Sequence, residues 1–310
     1  MKNGNLLKAI FWIALLGCCW PRVSAPIALV AGITFGILIG NPWNVTTSVW
    51  SRRLLQASVV GLGFGMNIPE LVKTGKDAFL YTAISISFTM VLGYLLGRFL
   101  KIPQRTSTLI SFGSAICGGS AIAAMAPVIK AEPEETGVAL ATVFTLNSIA
   151  LILFPPVGLL LGMGQRQFGL WAALAIHDTS SVVGAAAAYG GVALAIGTTV
   201  KLTRALWIMP SALVAAWFTK SEGKVKFPLF IFGFIAAAAI KTVLPHYNQV
   251  WQPLNGMAKQ SLVVTLFLIG CGLTREVLGR TGIKPLAQGV ILWAIVSVTS
   301  AVAILTGWIN

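Results

Sequence analysis

The sequence predicts an all-α, polytopic membrane protein with about eleven transmembrane helices, and three observations predict it. Of its 310 residues, 56% are hydrophobic and only 10% are charged, against about 25% charged in an average soluble domain. The apolar residues come in long runs instead of one-faced patterns, which describes helices buried all round. Period-two alternation, the mark of a membrane β-barrel strand, is not the pattern of these runs.

In chain order the apolar stretches run from Leu6 to Trp20, Pro26 to Gly40, Leu54 to Ile68, Ala78 to Phe99, Thr106 to Ile129, Gly137 to Met163, Phe168 to Tyr189, Val192 to Phe218, Phe227 to Leu244, Ser261 to Leu273 and Pro285 to Trp308. A bilayer crossing takes about 20 residues. The stretches beginning at Leu54 and Ser261 are therefore short, either tilted little or completed by flanking turns. Residues 1–25 form an N-terminal extra helix or a signal-like segment: Lys2 and Lys8 precede an apolar run followed by Leu15-Leu16-Gly17-Cys18 and Val23-Ser24-Ala25, which also fits a cleavable leader. A retained helix is the favoured expectation, and residues 26–310 are expected to form one domain.

Charge orients the chain. With the N-terminus in the cytoplasm, the inner loops collect Lys2, Lys8, Arg52, Arg53, Arg98, Lys101, Arg105, Arg166, Lys220, Lys224, Lys226, Arg275, Arg280 and Lys284. The outer loops hold Arg22, Lys73, Lys76 and Lys130, the last beside Glu132, Glu134 and Glu135, which are expected in a solvated loop. This is the positive-inside asymmetry. It accounts for the net charge of +14 through topology, so no nucleic-acid partner is expected. The four cysteines, Cys18, Cys19, Cys117 and Cys271, lie in apolar stretches without metal-ligand spacing; neither a metal site nor a disulfide framework is expected. Trp20, Trp43, Trp50, Trp251 and Trp308 sit near stretch ends, where tryptophan forms interfacial belts.

Two polar, small-residue interruptions break the apolar pattern: Gly113-Ser114-Ala115-Ile116-Cys117-Gly118-Gly119-Ser120 and Ile176-His177-Asp178-Thr179-Ser180-Ser181. In hydrocarbon every backbone N–H and C=O must find a partner, so irregular backbone persists only inside protein or beside a watery cavity. Gly118 and Gly119 permit departure from helical geometry, and Ser120 stands where a second half-helix would begin. A half-helix N-terminus offers unpaired N–H groups and partial positive charge, which suits an anion. The alternative is a small-residue face for close helix packing.

Asp178 is the acidic residue placed inside a span, where a carboxylate costs about 2.5 to 3.5 kcal/mol on the insertion scale. It either ties helices together through Lys201 or Arg204, or carries protons with His177. His177 is also a candidate for direct anion contact. Lys201 and Arg204 lie three residues apart and share a helix face. They either snorkel to headgroups or face a polar cavity, where Arg grips an oxyanion with two N–H groups and Lys acts as a compact charge. Asn67, Asn147 and Gln260 are polar residues in apolar runs that either bond across helices or line a cavity.

Weak self-similarity supports a central site. Ile116 to Ser120 aligns with Ile176 to Ser180, and Val138-Ala139-Leu140-Ala141 with Val192-Ala193-Leu194-Ala195, a register that sets Asn147 opposite Lys201. A second echo relates Gln56-Ala57-Ser58-Val59-Val60 to Gln260-Ser261-Leu262-Val263-Val264. The echoes imply different registers, and both stay open. Repeats with interrupted helices in each copy usually point to a transporter's central site.

Ser114 to Ala124, Val128-Ile129-Lys130-Ala131-Glu132, Val138 to Val143, His177-Asp178, Lys201-Leu202-Thr203-Arg204 and Gly272-Leu273-Thr274 together resemble the YeiH-type family of sulfate exporters. The likeness covers nearly the whole chain after the first helix. It implies an inverted-repeat secondary transporter, related in fold to bile-acid symporters and cation/proton antiporters, with two broken helices crossing near the membrane midplane. It also implies scaffold and core subdomains interleaved in sequence, often in a homodimer. One departure is the turn Gly65-Met66-Asn67-Ile68, where family members often carry a basic residue.

The resulting expectation is a secondary-active transporter, not an enzyme, in a bacterial inner membrane, without a cofactor, moving a small oxyanion (sulfate or sulfonate-like) by alternating access. The anion is expected between Gly118-Gly119-Ser120 and Thr179-Ser180-Ser181, its charge balanced by Lys201, Arg204 and His177, with Asn147 lining the cavity. Asp178 or His177 couples transport to protons. The alternative is a cation/proton antiporter using Asp178 as its cation and proton site, with Lys201 as internal counter-ion. A membrane enzyme with His177 and Asp178 as an acid/base pair lacks an identifiable nucleophile or metal set.

Overall fold

A computed structural model describes residues 2–21, 23, 25–41, 43–219, 229–272 and 282–309. Arg22, Ser24, Lys220, Lys224, Lys226, Phe227, Leu273, Thr274, Arg275 and Arg280, which figured in the loop charges, the leader motif, two stretch ends and the family motif, lie outside the described residues. Regular structure among the described residues is helical throughout. The helices are α1 (Lys2–Gly17), α2 (Ala25–Leu38), α3 (Asn44–Gly63), α4 (Ile68–Phe99), α5 (Gln104–Ala115), α6 (Gly119–Val128), α7 (Pro133–Leu160), α8 (Gln165–Ala175), α9 (Thr179–Tyr189), α10 (Gly191–Leu206), α11 (Ile208–Thr219), α12 (Phe230–Val243), α13 (Asn248–Cys271) and α14 (Ile283–Leu305).

Among the described residues five helical stretches, Ile68–Phe99, Glu134–Leu160, Gly191–Trp217, Pro245–Cys271 and Ile283–Leu305, are long and apolar enough to cross a membrane, and shorter apolar helices accompany them. The apolar stretches fall on helices, but three of them divide in two. The divisions lie between α5 and α6, between α8 and α9, and at Trp207 between α10 and α11. The two stretches that look short are parts of longer helices: α3 begins at Asn44 and α13 at Asn248, because polar residues extend both past their apolar cores. Glu134 and Glu135 form the first turn of α7, where carboxylates suit the helix dipole, and Glu135 accepts the Glu132 amide at 2.9 Å.

The chain divides into two compact units, Met1–Val72 with Leu229–Leu278, and Lys73–Pro228 with Gly279–Asn310. In the first, α13 packs on α2 and α3, and α12 on α3. A Cβ at Gly270 would stand 2.7 Å from Leu29 O and Ile33 N, so a bare α-carbon lets α2 and α13 touch backbone to backbone. Phe11 of α1 is buried in an aromatic cluster with Phe35, Trp43 and Phe267. Gln260 donates to Cys18 O at 2.8 Å and Trp20 O at 3.2 Å, which ties α13 to the turn that follows α1. Asn67 accepts from Lys241 Nζ at 2.8 Å.

The second unit holds both interruptions. Within it α14 packs on α5, α7 and α8, and α10 runs along α8 and α9. Buried Gln288 of α14 donates to Gly93 O at 3.0 Å, Ser107 Oγ at 2.8 Å and Ser111 Oγ at 3.1 Å, which fixes α14 against α4 and α5. Trp171 Nε1 donates to Ser297 O at 2.9 Å and its ring stacks on Phe154 at 4.2 Å. The half-helix α8 is thereby held between α7 and α14.

Candidate functional site

The first interruption follows from Gly118. Helix α5 ends at Ala115, Ile116 turns to φ −116°, ψ −85°, and Gly118 takes φ 68°, ψ −128° before α6 starts at Gly119. A side chain is strongly disfavoured in that conformation. Gly118 N donates back to Gly113 O at 2.9 Å, and Ile122 N to Gly118 O at 3.1 Å. Helix α6 begins on Gly118, which has no side chain to cap it, and the buried Cys117 sulfur meets the Ala121 amide of its first turn. Ser120 in its first turn is exposed.

The second interruption is built differently. Helix α8 ends at Ala175, Ile176 and Asp178 are extended, and α9 starts at Thr179. Asp178 is its N-cap: Oδ2 accepts from Ser180 N at 3.1 Å, Ser181 N at 3.3 Å, Ser181 Oγ at 3.5 Å, and also from Ser180 Oγ. An acidic cap of this kind uses the free amides and the positive helix end together. From α7, Asn147 Oδ1 accepts the amides of His177 at 3.1 Å and Asp178 at 3.2 Å, so the two residues of the break are themselves bonded.

The C-terminal ends of α5 and α8 leave carbonyls without helical partners, and two cations on α10 take them. Lys201 Nζ donates to Ile176 O at 2.7 Å and Ala173 O at 3.4 Å. Arg204 Nε donates to Ala115 O at 2.5 Å, and its Nη1 to Leu174 O and to Ala173 O at 3.3 Å. Both side chains have 0% exposure. The shared face of Lys201 and Arg204 is thus turned onto the interruptions, and positive charge meets the negative ends of two half-helices. Asp178 spends its bonded oxygen on α9 instead of on either cation. Among the described residues the ion pair within 4.0 Å is Arg105 with Glu135.

The interruptions touch. A Cβ at Gly118 would lie 3.2 Å from both Cα and Cβ of Asp178, so the two broken backbones are in van der Waals contact. Gly118, Asn147, His177, Asp178, Thr179, Ser180, Ser181, Lys201 and Arg204 are consequently gathered in one place, while Ser120 marks its exposed edge and Gly119 is pressed by the Phe144 ring of α7. After these bonds are counted, some buried polar atoms remain without a hydrogen-bond partner: both ring nitrogens of His177, Asn147 Nδ2, Arg204 Nη2 and Ser114 Oγ. Ser114 lies one residue before the Ala115 carbonyl that Arg204 holds; Gln288 was not singled out from sequence. The signal for Gln288 was the same as for Asn147, a polar residue in an apolar run. No three His, Cys, Asp or Glu side chains among the described residues gather into a metal-binding group.

A family described as Conserved hypothetical protein 698 matches residues 6–289. The chain belongs to this family. It is the YeiH family that the motifs resemble. A UPF0324 membrane protein of Geobacter sulfurreducens is 57% identical over 308 residues, covering 99% of this chain and 99% of its own. One from Bdellovibrio bacteriovorus is 50% identical over 317 residues, covering 100% and 98%, and one from Bacteroides thetaiotaomicron is 49% identical over 281 residues, covering 90% and 85%. No solved structure matches. With the apolar helices, these relatives make the chain a membrane protein.

Proposed function

We propose that the protein is a secondary-active transporter of a small oxyanion, sulfate or a sulfonate, working by alternating access in a bacterial inner membrane with its N-terminus in the cytoplasm. The observation that carries the proposal is the contact of Gly118 with Asp178, which joins two interrupted helices in the interior of one helical unit. Irregular backbone in a membrane is stable where it serves a polar guest or is satisfied by protein. Here both conditions divide between the two interruptions.

The anion site is the start of α6. Its counterpart at the start of α9 already holds an anion, the Asp178 carboxylate, whereas α6 starts on Gly118 with no carboxylate in its first turn, only the Cys117 sulfur at the Ala121 amide, and opens at Ser120. The amides of the α6 first turn bind the oxyanion, and the Thr179-Ser180-Ser181 turn faces it across the contact. Lys201 and Arg204 act mainly through space: Lys201 Nζ and Arg204 Nε and Nη1 serve backbone carbonyls, Arg204 Nη2 is left without a partner, and their charge makes the crossing electropositive and offsets the guest. The transport cycle is coupled to protons.

Tracer flux in proteoliposomes tests this. The expected result is sulfate or sulfonate flux driven by a proton gradient and abolished by Lys201→Ala. Cation-dependent proton release with no anion dependence would overturn it in favour of a cation/proton antiporter that uses Asp178.

A further inference from the structure

The two acid/base side chains of the second interruption are in opposite conditions. Asp178 Oδ2 is committed to the α9 amides and hydroxyls, and moving it uncaps a helix. His177, one residue earlier, is 1% exposed, and neither ring nitrogen has a partner. Its backbone amide, by contrast, is fixed by Asn147 Oδ1 at 3.1 Å, and the Nδ2 of that same Asn147 is unpartnered. Imidazole is the one side chain here whose unperturbed pKa lies near neutrality, and this ring can take a proton without unmaking a structural bond. Buried polar groups are ordinarily paired, so an idle ring in this place calls for a function.

The charged and titratable groups of the crossing come from each neighbouring element, and Lys201 and Arg204 act on the ring itself. Lys201 and Arg204 stand on α10 and Asp178 on the same break, Cys117 lies on the first break beside Gly118, and α7 contributes the neutral Asn147. Two cations and one committed carboxylate leave the crossing positive. A proton added to the ring raises that positive charge, and an anion at the start of α6 lowers it. Each event therefore favours the other, and binding linkage makes the effect reciprocal.

Resting on the oxyanion reading above, we propose that His177, and not Asp178, is the proton carrier, its ring taking up one proton when the oxyanion binds and losing it when the oxyanion leaves. Asp178 and Ser180, the next residues of the break, are half-buried. Asp178 is then a positioning residue, holding α9 in place.

The test is calorimetric titration of the purified protein with sulfate, and with a short alkanesulfonate, in buffers of different ionisation enthalpy. Wild-type protein is expected to take up about one proton per anion, and His177→Gln to bind the anion with that uptake lost. A measurement that leaves the residue intact accompanies it: in a His246→Gln background, where His177 is the remaining histidine of the two in the chain, ring-nitrogen NMR should pass from the neutral to the imidazolium pattern as sulfate saturates. Sulfate binding with a ring that stays neutral, or undiminished proton uptake in His177→Gln, would overturn the inference while leaving the anion site standing. Absence of binding by either anion to wild-type protein would overturn the oxyanion reading, and this inference with it.

Discussion

The two interruptions solve one problem by opposite means. Each exposes the carbonyls of a finished half-helix and the amides of a new one, in surroundings where an unmet group costs several kcal/mol. At the second, the chain supplies everything: Asn147 takes the amides of the break, Asp178 takes those of α9, and Lys201 and Arg204 take the carbonyls of α8. At the first, Arg204 holds the Ala115 carbonyl, but α6 begins on Gly118 with no carboxylate to cap it. One interruption is closed by the protein and the other is left for a guest. The finished one serves as a platform against which the unfinished one is presented.

This asymmetry makes mutations at matching positions unequal. The largest effect is expected for Arg204→Ala, which strips donors from Ala115, Ala173 and Leu174 carbonyls; at about 1–3 kcal/mol per buried acceptor left unmet, thermal unfolding in detergent should show a loss of several kcal/mol. Gly118→Ala comes next. It forces a side chain to φ 68° and against Asp178, at a cost of about 1–3 kcal/mol, and should abolish flux by pushing the interruptions apart. Gly137→Ala, inside α7 with nothing within 4 Å of the new methyl, should be more stable than wild type by about 0.4–1 kcal/mol. Asp178→Ala should cost about 0.5–2 kcal/mol as a lost N-cap. Ser120→Ala at the start of α6 should change stability by less than about 0.5 kcal/mol. Equal losses for these last two would mean that α6 is closed by the protein as well.

Much of this was legible in the sequence because the breaks announce themselves in side chains. Gly118-Gly119-Ser120 and His177-Asp178 are conspicuous among Ala, Val and Leu, and the three-residue spacing of Lys201 and Arg204 put both on one face. What the cations do there was not legible. Their partners are carbonyls of Ala115, Ala173, Leu174 and Ile176, and backbone atoms leave no mark on residue identity. The role of Asn147 was half legible: its match to Lys201 made it a cavity candidate, but its bonds to the amides of His177 and Asp178 leave no mark in the sequence. Helix lengths were misjudged at α3 and α13 because hydropathy sees only the apolar core of a helix, while Asn44 to Arg53 and Asn248 to Lys259 continue the helical hydrogen bonding beyond it.

The most direct test places at α6 the feature that fills α9. Ser120→Asp puts a carboxylate in the first turn of α6, where the positive helix end offsets part of its cost within the span. Wild-type protein should melt at a higher temperature with added sulfate, since a ligand of the folded state raises its stability. In Ser120→Asp the fold should persist and that sulfate-dependent rise should vanish. A rise in the variant equal to that of wild type would contradict the account, because the anion would then bind somewhere other than the open end of α6.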